Sequence, residues 1–293
     1  GVYRFKPDGS QLEFIRSSNN NTWGLGFSEE GTVFGSTANN NASWYMPVAN
    51  RYHEAVAGWS ASRMESIADK QDFYPVTTEV RQVDAHGRYT AGAGHALYTA
   101  RNYPQDFWNR VSFVTEPTGH LIGMFRLEAR GADFTARNDK SFLASSDEWC
   151  APIMAEVGPD GAVWIMDWYD RYPCYQNANA DPAGVDREHG RIWRVVATGR
   201  DLQKPPKIAG EPIEKLLDLL KTPEDRIRYA VRRELAERES ADVTQALEKW
   251  LKPIKGTDAE TIHHRLEGLW MYQTHNTVKE DLLKELLTCS DMR

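Results

Sequence analysis

Short apolar runs separated by turns fill residues 1–200, whereas apolar residues recur at helical spacing from residue 212 onwards. A period of two is typical of β-strands with one buried face, and a period of 3.6 is typical of α-helices. The clearest pair of apolar runs spans 152–167 and contains the sequence Gly-Pro-Asp-Gly at 158–161. Proline presets φ for a turn, and Asp-Gly supplies its positive-φ positions. With a third strand predicted at 192–196, this segment has the strand order of one β-propeller blade.

Other segments of the N-terminal part repeat this pattern. The sequence GVYRF at 1–5 resembles GRIWRV at 190–195, and residues 22–35 again place an acidic-Gly turn between two apolar runs. Short strands about ten residues apart are indicated over 89–127, as in antiparallel sheets. Residues 36–80 are polar and lack a sustained period, so an insertion is expected there. The N-terminal part is therefore predicted to be mainly β, with two to three blades of a larger β-propeller.

The composition of the chain changes near residue 200. Of the 32 aromatic residues, 28 lie before that position, as do 18 of the 21 glycines. Gly-rich and aromatic-rich sequence favours sheets and turns, whereas the Leu, Glu, Lys and Arg that replace it favour helices. We therefore predict two domains, at 1–200 and 212–293, joined by a proline-containing linker at 201–211.

The C-terminal part contains an internal repeat of 35 residues. Thr222-Pro223-Glu224-Asp225 and Thr257-Asp258-Ala259-Glu260 both predict helix starts, with Thr as the capping residue. Six pairs of apolar residues recur at the same offset: Ile227 and Ile262, Val231 and Leu266, Leu235 and Trp270, Val243 and Val278, Leu247 and Leu282, Leu251 and Leu286. The pattern predicts an all-α C-terminal part made of stacked HEAT-like helical repeats, truncated at the end of the chain.

Charge and cysteine spacing exclude several classes of function. The net charge is −7 and neither part carries a basic stripe, so nucleic acid is not an expected partner. No apolar run of about 18 residues is present, so we predict no transmembrane segment in this chain. The sequence has no CxxCH motif, so no covalent haem is expected in it. Cys150 and Cys174 flank one strand pair and are either bridged or two free thiols.

Polar residues that follow the strand ending at Asp167 are the first candidates for chemistry, because propellers bind ligands at the mouth of their central channel. Asp167, Asp170 and Asp186 are predicted either to hold calcium or to lie in a solvated acidic loop. His189 closes this loop, and we expect it to approach Asp167 and to line a pocket with it.

Five further residues are candidates for ligand binding or proton transfer. The rings of Trp168 and Tyr169 are expected to form a surface on which a sugar stacks. His95, at a strand entrance, is either a general base or a turn residue. Glu116 is a polar candidate at the next loop. Arg191 is either an anion-binding residue, because guanidinium groups fit carboxylates, or part of a solvated strand face.

Five motifs span nearly all of residues 1–200. They are TWGLGF at 22–27, FVTEPTG at 113–119, VGPDG at 157–161, DWY at 167–169 and GRIWRV at 190–195. Together they resemble the membrane-bound dehydrogenase-like proteins of planctomycetes, which are similar to the soluble quinoprotein glucose/sorbosone dehydrogenase propellers. The residues after 212 look like the HEAT-type repeats that often follow in that family.

The resemblance implies that this chain is a fragment of an exported, periplasmic or extracellular protein, with any membrane association made through parts outside it. It implies oxidation of a sugar or other alcohol, with pyrroloquinoline quinone and calcium as cofactors. Electrons would pass to a c-type cytochrome domain that also lies outside this chain. The candidates for cofactor or ligand binding are then Glu116, Trp168, Tyr169, His189 and Arg191.

Three departures separate this chain from the quinone-binding members. Where those members carry two arginines before the strand that leads into the Pro-Asp-Gly turn, this chain has Ala151-Pro152-Ile153. Thr118 and His120 stand near the place of a lysine in those members. The catalytic histidine of those enzymes lies in an earlier blade, which is expected to be missing from this chain. The alternative is therefore a non-enzymatic carbohydrate- or protein-binding propeller with a HEAT scaffold.

Overall fold

The computed structural model describes residues 1–6, 8–82, 84–172 and 185–290, and within these ranges there are twelve strands and six α-helices. The strands are β1 (Val2–Phe5), β2 (Leu12–Arg16), β3 (Thr22–Phe27), β4 (Val33–Thr37), β5 (Asn41–Met46), β6 (His95–Leu97), β7 (Val111–Glu116), β8 (Leu121–Arg130), β9 (Asp133–Ala144), β10 (Pro152–Val157), β11 (Val163–Asp167) and β12 (Arg191–Val195). The helices are α1 (Asn50–Glu54), α2 (Ile213–Leu219), α3 (Asp225–Ala236), α4 (Ser240–Leu251), α5 (Ala259–Thr274) and α6 (Glu280–Leu287).

The described strands form four antiparallel sheets in which neighbours along the chain pair with each other. The sheets are β1-β2, β3-β4-β5, β6-β7-β8-β9 and β10-β11-β12. The turn between β10 and β11 is closed by the Gly161 amide, which donates to the Gly158 carbonyl oxygen over 3.0 Å. Gly161 has a φ of 82°, a conformation that a residue without a Cβ adopts without strain.

Glycines allow β3 and β10 to lie against β6 at very short distance. A Cβ on Gly24 of β3 would lie 2.1 Å from Ser36 Oγ and 2.7 Å from the backbone nitrogen of His95. A Cβ on Gly94, just before β6, would lie 3.1 Å from the carbonyl oxygen of Ile153 in β10. The backbones of three sheets therefore meet here, and they enclose the first residue of β6.

The predicted fold class is wrong for the N-terminal part. Instead of a mainly β piece with two to three blades, the described chain before residue 200 combines four small sheets, one of them two-stranded, with α1. The described residues of 55–94 contain isolated bridges rather than strands. β5 lies inside the predicted insertion at 36–80, and its first four residues are all buried. Because both faces of β5 are covered, no alternation in the sequence marks it as a strand.

The prediction of HEAT-like repeats is also wrong. The three α3 positions of the 35-residue register are buried, whereas their α5 counterparts are only partly buried. Val278, the counterpart of the buried Val243, is 80% exposed. The residues that α5 buries instead are Glu267, Gly268, Met271 and Tyr272. The buried face of α5 is thus rotated relative to that of α3, so the two helices are not copies of one packing unit.

Two contacts account for this rotated face. A Cβ on Gly268 would lie 2.8 Å from Cδ2 of Leu251, so the glycine allows the leucine side chain to pack against the α5 backbone. The buried carboxylate of Glu267 accepts from Nη1 of Arg232 over 2.7 Å and lies 3.0 Å from Nε of Arg228. The spacing of apolar residues cannot predict which face of α5 is buried, because a glycine and a buried ion pair, rather than apolar side chains, occupy that face.

The predicted threonine caps are wrong as well. The residue before α3 is Glu224, which makes no side-chain capping bond. The residue before α5 is Asp258, whose carboxylate accepts from the Thr261 amide over 2.9 Å. Thr222 instead donates to the Leu219 carbonyl oxygen over 2.7 Å at the end of α2. Asp is at least as good a capping residue as Thr. At α5, Asp258 directly precedes the first helical residue and makes the capping bond in place of Thr257.

The chain divides into two compact units. The first comprises Gly1–Tyr98, Tyr103–Val157 and Ala162–Thr198, and the second comprises Thr99–Asn102, Gly158–Gly161 and Gly199–Arg293. The second unit has its own apolar core, formed by buried residues of α2 to α6 and of the α2 C-terminus: Leu216, Leu217, Leu220, Ile227, Val231, Leu235, Val243, Ala246, Leu247, Trp250, Met271, Tyr272 and Leu282. In the part of the chain that the structure describes, every helix is too short or too polar to cross a lipid bilayer.

Candidate functional site

Asp167, the last residue of β11, has a buried carboxylate that accepts four hydrogen bonds. Its Oδ1 accepts from the backbone amides of Ala151 (2.8 Å) and Tyr169 (3.0 Å). Its Oδ2 accepts from Nε of Arg191 (2.7 Å) and Nε1 of Trp193 (2.8 Å). Since a buried carboxylate is tolerated only when it is paired and hydrogen-bonded, these donors determine where the side chain can lie. Through these hydrogen bonds, Asp167 connects β12 to two other segments: the residue before β10 and the turn that follows β11.

Arg191, the first residue of β12, pairs with two carboxylates. Besides its bond to Asp167, its Nη1 donates to Oδ2 of Asp147 over 2.7 Å. Burial lowers the pKa of Arg191, but the two carboxylates more than offset that effect and raise the pKa above its usual value. Burial likewise raises the pKa of Asp147, and the Arg191 guanidinium and the Trp149 amide more than offset it, so that this pKa lies below its usual value. The ion pair is therefore charged throughout the physiological pH range.

Aromatic rings lie close to the guanidinium of Arg191. Its Cζ lies 4.4 Å from the ring centroid of Tyr169 and 5.2 Å from that of Trp193, distances typical of cation–π interactions. The ring of Trp149 lies 5.3 Å from that of Tyr169. Trp193 remains 43% exposed, so part of this aromatic surface faces solvent. We call the following residues the Arg191 cluster: Asp147, Asp167, Tyr169, Arg191 and Trp193.

Tyr169 reaches this position through an unusual backbone conformation. Its φ is 57°, in the left-handed region that few residues other than glycine and asparagine adopt. The bond from its amide to Asp167 stabilises this conformation. Trp168, between the two, is exposed, and its amide donates to the carbonyl oxygen of Ala151 over 2.9 Å. Of the two predicted stacking residues, Tyr169 thus belongs to the Arg191 cluster, whereas Trp168 lies at the solvent-exposed end of the strand pair.

The thiol of Cys150, close to the Arg191 cluster, is not activated as a nucleophile. Burial, followed by the negative charge of Asp167, raises the pKa of Cys150 to about 12, so the thiol is protonated at neutral pH. Nδ1 of His120 lies 2.8 Å from the carbonyl oxygen of Cys150, and burial lowers the pKa of this histidine. The two alternatives for Cys150 and Cys174, a disulfide bridge or two free thiols, lie outside the described residues, because residue 174 is not among them.

The other acidic candidates of this segment have local partners. Asp186 accepts from the His189 amide over 3.0 Å, and Nδ1 of His189 lies 2.8 Å from its Oδ2. Asp170 accepts from the Tyr172 amide over 2.8 Å. The structure therefore pairs His189 with Asp186, while Asp167 pairs with Arg191. His189 is exposed and does not belong to the Arg191 cluster.

The three aspartates predicted to bind calcium do not form a metal site among the described residues. Over residues 1–6, 8–82, 84–172 and 185–290, no group of three or more His, Cys, Asp or Glu side chains could hold a metal ion. A carboxylate has about four lone-pair sites, and protein N–H groups occupy four at Asp167. Neither oxygen of Asp167 is therefore available to a cation in this arrangement.

His95, the candidate general base, is enclosed at the meeting point of β3, β6 and β10. Its Nε2 lies 3.1 Å from Oγ of Ser43, and its ring lies parallel to that of Phe34 at a centroid distance of 6.3 Å. Its Nδ1 is buried without a hydrogen-bond partner. Burial lowers the pKa of His95 to about 3, so the ring is neutral at physiological pH. These surroundings fit a buried packing residue better than a base that meets a substrate from solvent.

Glu116 also has a structural environment. Its Oε2 accepts from the backbone amides of Thr90 and Ala91, each over 2.8 Å. Its Oε1 accepts from the amide of Thr118 over 3.1 Å and from the hydroxyl of the same residue. Burial raises the pKa of Glu116 above its usual value, although all four hydrogen bonds act to lower it. The carboxylate therefore fixes the chain at residues 90–91 against the end of β7.

Two members of the Arg191 cluster were not predicted from the sequence. Trp193 stands two residues after Arg191 in the same strand, so the alternation of side chains alone places both on one face. The spacing of two residues could therefore have predicted that Trp193 accompanies Arg191. Asp147 lies 44 residues before Arg191 in a loop, and nothing in the local pattern distinguishes it from other exposed aspartates.

Residues 1–199 match the model of a protein family described as a domain of unknown function, DUF7133. The chain belongs to this family. The match includes every residue of the Arg191 cluster. No curated protein matches the chain.

Three solved structures are similar to parts of this chain. A Thermus thermophilus protein described as an oxidoreductase of the glucose dehydrogenase type is 15% identical with a TM-score of 0.33, over 59% of this chain and 44% of that one. The PQQ-bound aldose sugar dehydrogenase of Streptomyces coelicolor is 14% identical with a TM-score of 0.30, over 66% and 50%. A glucose dehydrogenase is 14% identical with a TM-score of 0.29, over 67% and 72%. The chain thus spans half or less of the length of the first two.

Proposed function

We propose that this chain binds a neutral carbohydrate at the Arg191 cluster, as part of a dehydrogenase-like protein that oxidises a sugar or other alcohol. The observation that carries the binding proposal is the partly exposed indole of Trp193 next to a guanidinium fixed by two carboxylates. Aromatic rings offer a flat apolar surface for the C–H face of a sugar, and polar groups at its edge can bond to hydroxyls.

The carboxylate of Asp147 supports the same proposal. Its side chain is 44% exposed, so a ligand hydroxyl can donate to an oxygen that also accepts from Arg191. One arginine faces two aspartates in the Arg191 cluster, so these three side chains carry a net charge of −1. A neutral ligand with several hydroxyl groups therefore fits this surface better than an anionic ligand.

The oxidation itself, the exported location and the c-type cytochrome partner rest on the resemblance of the sequence motifs. We assign no step of that reaction to a residue of this chain. Pyrroloquinoline quinone, which carries several carboxylates, would need unpaired cationic side chains, and Arg191 already pairs with Asp147 and Asp167. The strand before the Pro-Asp-Gly turn begins Ala151-Pro152-Ile153, without arginine. The described residues also offer no group for the accompanying calcium. The Arg191 cluster therefore does not fit this cofactor.

A second candidate function is a non-enzymatic carbohydrate-binding module. The observation that favours it is the state of the titratable groups near the sheets: His95 is buried and neutral, and the thiol of Cys150 is protonated. Neither group suits proton abstraction or nucleophilic attack on a ligand from solvent. Both candidate functions share the binding step at the Arg191 cluster, so one experiment tests that step for both.

The experiment is calorimetric titration of the chain with glucose, galactose, mannose, maltose and cellobiose, comparing two tryptophan variants. Trp193→Ala should weaken binding by about tenfold or more. Trp164→Ala is the matched control. Trp164 is 39% exposed, similar to Trp193, and lies on the neighbouring strand β11. Its side chain lies on the opposite face of that strand from Asp167, so it is outside the Arg191 cluster. Equal loss in both variants, or no binding of any of these sugars to the unmodified chain, would refute the proposal.

A further inference from the structure

Asp147 is the charged side chain of the Arg191 cluster that a ligand can reach most easily. Its side chain is 44% exposed, against 26% for the side chain of Arg191 and 0% for that of Asp167. Of the guanidinium nitrogens of Arg191, Nε donates to Asp167, Nη1 donates to Asp147 and Nη2 is buried. A ligand that lies beside this ion pair therefore meets mainly the carboxylate oxygens of Asp147.

Each oxygen of Asp147 accepts one hydrogen bond within the described part of the chain. Oδ1 accepts from the backbone amide of Trp149 over 3.0 Å, and Oδ2 accepts from Nη1 of Arg191 over 2.7 Å. An ionised carboxylate has about four lone-pair sites on its two oxygens. One acceptor site on each oxygen thus remains for a ligand, whereas the four bonds to Asp167 leave none there.

The same bonds hold the carboxylate of Asp147 in one orientation and in its ionised form. The Trp149 amide fixes Oδ1 from within the turn, and the amide of Asp147 itself donates to Oγ of Ser145 over 3.1 Å. Burial raises the pKa of Asp147, but the bonds to Arg191 and Trp149 lower it further, so that this pKa lies below its usual value. At neutral pH the carboxylate therefore presents two fixed acceptors and no donor.

Two adjacent hydroxyl groups of a sugar match this pair of acceptors. A carboxylate accepts two parallel hydrogen bonds from the paired N–H groups of a guanidinium, and two hydroxyls on neighbouring ring carbons can offer their O–H groups side by side in a similar way. Bonds from a hydroxyl to an ionised oxygen are short and about twice as strong as those between neutral groups. An isolated hydroxyl would use only one of the two acceptors.

We propose that Asp147 determines the specificity of the Arg191 cluster by accepting both hydroxyls of a vicinal diol while the sugar ring lies on Trp193. Arg191 contacts both residues: its Nη1 donates to Asp147, and its Cζ lies 5.2 Å from the ring centroid of Trp193. One pyranose ring can therefore span the two groups. This specificity rests on the proposed function, the binding of a neutral sugar at the Arg191 cluster.

The test is calorimetric titration of the whole chain with the methyl glycosides of glucose, galactose and mannose and with their 3-deoxy and 6-deoxy forms. Each deoxy form lacks one hydroxyl. The 6-deoxy form keeps both pairs of adjacent hydroxyls, whereas the 3-deoxy form has no two hydroxyls on neighbouring ring carbons. For a glycoside that binds, the 3-deoxy form should bind at least about tenfold more weakly than the 6-deoxy form, since a hydrogen bond to a charged group is lost. Equal affinities of the two deoxy forms would overturn the proposal.

Asp147→Asn tests the carboxylate itself, because an amide has one acceptor oxygen instead of two. The variant should bind the parent glycoside about tenfold more weakly, and its affinities for the two deoxy forms should agree within about twofold. Asp106→Asn is the matched control, because Asp106 also pairs with an arginine, Arg126, over 3.0 Å and its side chain is 59% exposed. The control should keep all the original affinities. A full penalty for the 3-deoxy form in Asp147→Asn would overturn the proposal.

The indole N–H signal of Trp193 in a ¹⁵N-labelled sample separates the role of Asp147 from the proposed function. If a parent glycoside shifts this signal but the two deoxy forms bind equally well, the sugar lies on Trp193 and only the role of Asp147 is refuted. If no glycoside binds or shifts the signal, both the binding of sugar at the Arg191 cluster and the role of Asp147 are refuted.

Discussion

Arg191 joins two aspartates that are distant in sequence and contributes to both stability and the proposed binding surface. Its bond to the buried carboxylate of Asp167 matters most for stability, because that carboxylate has no contact with water. Its bond to Asp147 is partly exposed and contributes less to the free energy of unfolding, since solvent screens it. Removing the guanidinium would leave Asp167 with one charged partner fewer inside the protein.

We therefore predict that Arg191→Gln lowers the free energy of unfolding by about 3–5 kcal/mol, the range for breaking a buried ion pair from one side. Urea denaturation followed by circular dichroism measures this change. Arg194→Gln, in the same strand and out of phase with Arg191, is the control and should cost about 0.5 kcal/mol or less. A smaller loss for Arg191→Gln than for the control would contradict the role assigned to the Asp167 pair.

His95 provides a prediction about pH. Its pKa is about 3 in the folded chain because of burial, against about 6.5 in an unfolded chain. Between these two values the unfolded state binds more protons, so stability falls as the pH is lowered from about 6.5 towards 3 and is fully present above 6.5. The contribution of this one residue to the slope reaches about 1.4 kcal/mol per pH unit.

The measurement is the free energy of unfolding between pH 5 and pH 8 for the unmodified chain and for His95→Asn. The variant should lose stability less steeply below pH 6.5, whatever its stability at neutral pH. His86→Asn, at an exposed position, serves as the matched control and should keep the original slope. Identical slopes for the unmodified chain and His95→Asn would show that His95 is accessible to protons in the folded chain.

At the scale of elements, the approach of β3 to β6 depends on glycine. A Cβ on Gly24 would meet Ser36 Oγ at 2.1 Å and two backbone atoms of residues 94–95 at 2.9 Å and 2.7 Å. Backbone atoms cannot move away as a flexible side chain can. We predict that Gly24→Ala destabilises the first unit by about 1–3 kcal/mol, as other overpacking substitutions do.

Gly190→Ala is the control for this prediction. A Cβ there would have only the Asp167 carbonyl oxygen nearby, at 3.8 Å, which is ordinary contact. Thermal denaturation of both variants should therefore show a clear loss for Gly24→Ala and little change for Gly190→Ala. Equal stability of the two variants would mean that β3 and β6 can move apart without cost.

The helices of the second unit allow a similar comparison. Leu247 of α4 is fully buried, whereas Lys249 of the same helix is exposed. We predict that Leu247→Ala destabilises this unit by about 2–4 kcal/mol, because it removes apolar contacts and leaves a cavity. Lys249→Ala should change the free energy of unfolding by less than about 0.5 kcal/mol. Denaturant melts with similar midpoints for both variants would contradict the core described for α2 to α6.

Turn chemistry and alternation in the sequence predict some elements well and others poorly. β10, β11 and β12 lie where the apolar runs and the Gly-Pro-Asp-Gly turn place three strands. The sequence does not predict β5, because this strand is buried on both faces and its residues include the polar Asn41 and Ser43. The helical register is misleading because Glu267 and Gly268 determine the buried face of α5, and a count of apolar positions assigns neither residue to a core.

At the scale of the whole molecule, the match to the family covers residues 1–199, whereas the apolar core of α2 to α6 belongs to the second unit. Hydrogen bonds in both units join distant parts of the chain: Arg191 and Asp147 are 44 residues apart, and Asn102 and Asp201 are 99 residues apart. Periodicity along the chain cannot predict such pairs, because only the folded backbone brings them together.

The central claim is that a sugar lies on the ring of Trp193. The most direct measurement is the indole N–H region of a ¹⁵N-labelled sample, in which each of the ten tryptophans gives one signal. Trp193→Phe removes one signal and thereby assigns it. On titration with glucose, galactose, mannose, maltose and cellobiose, we predict that the Trp193 signal shifts and saturates with at least one sugar, while the Trp164 signal does not move. A Trp193 signal that stays fixed with all five sugars would contradict the account.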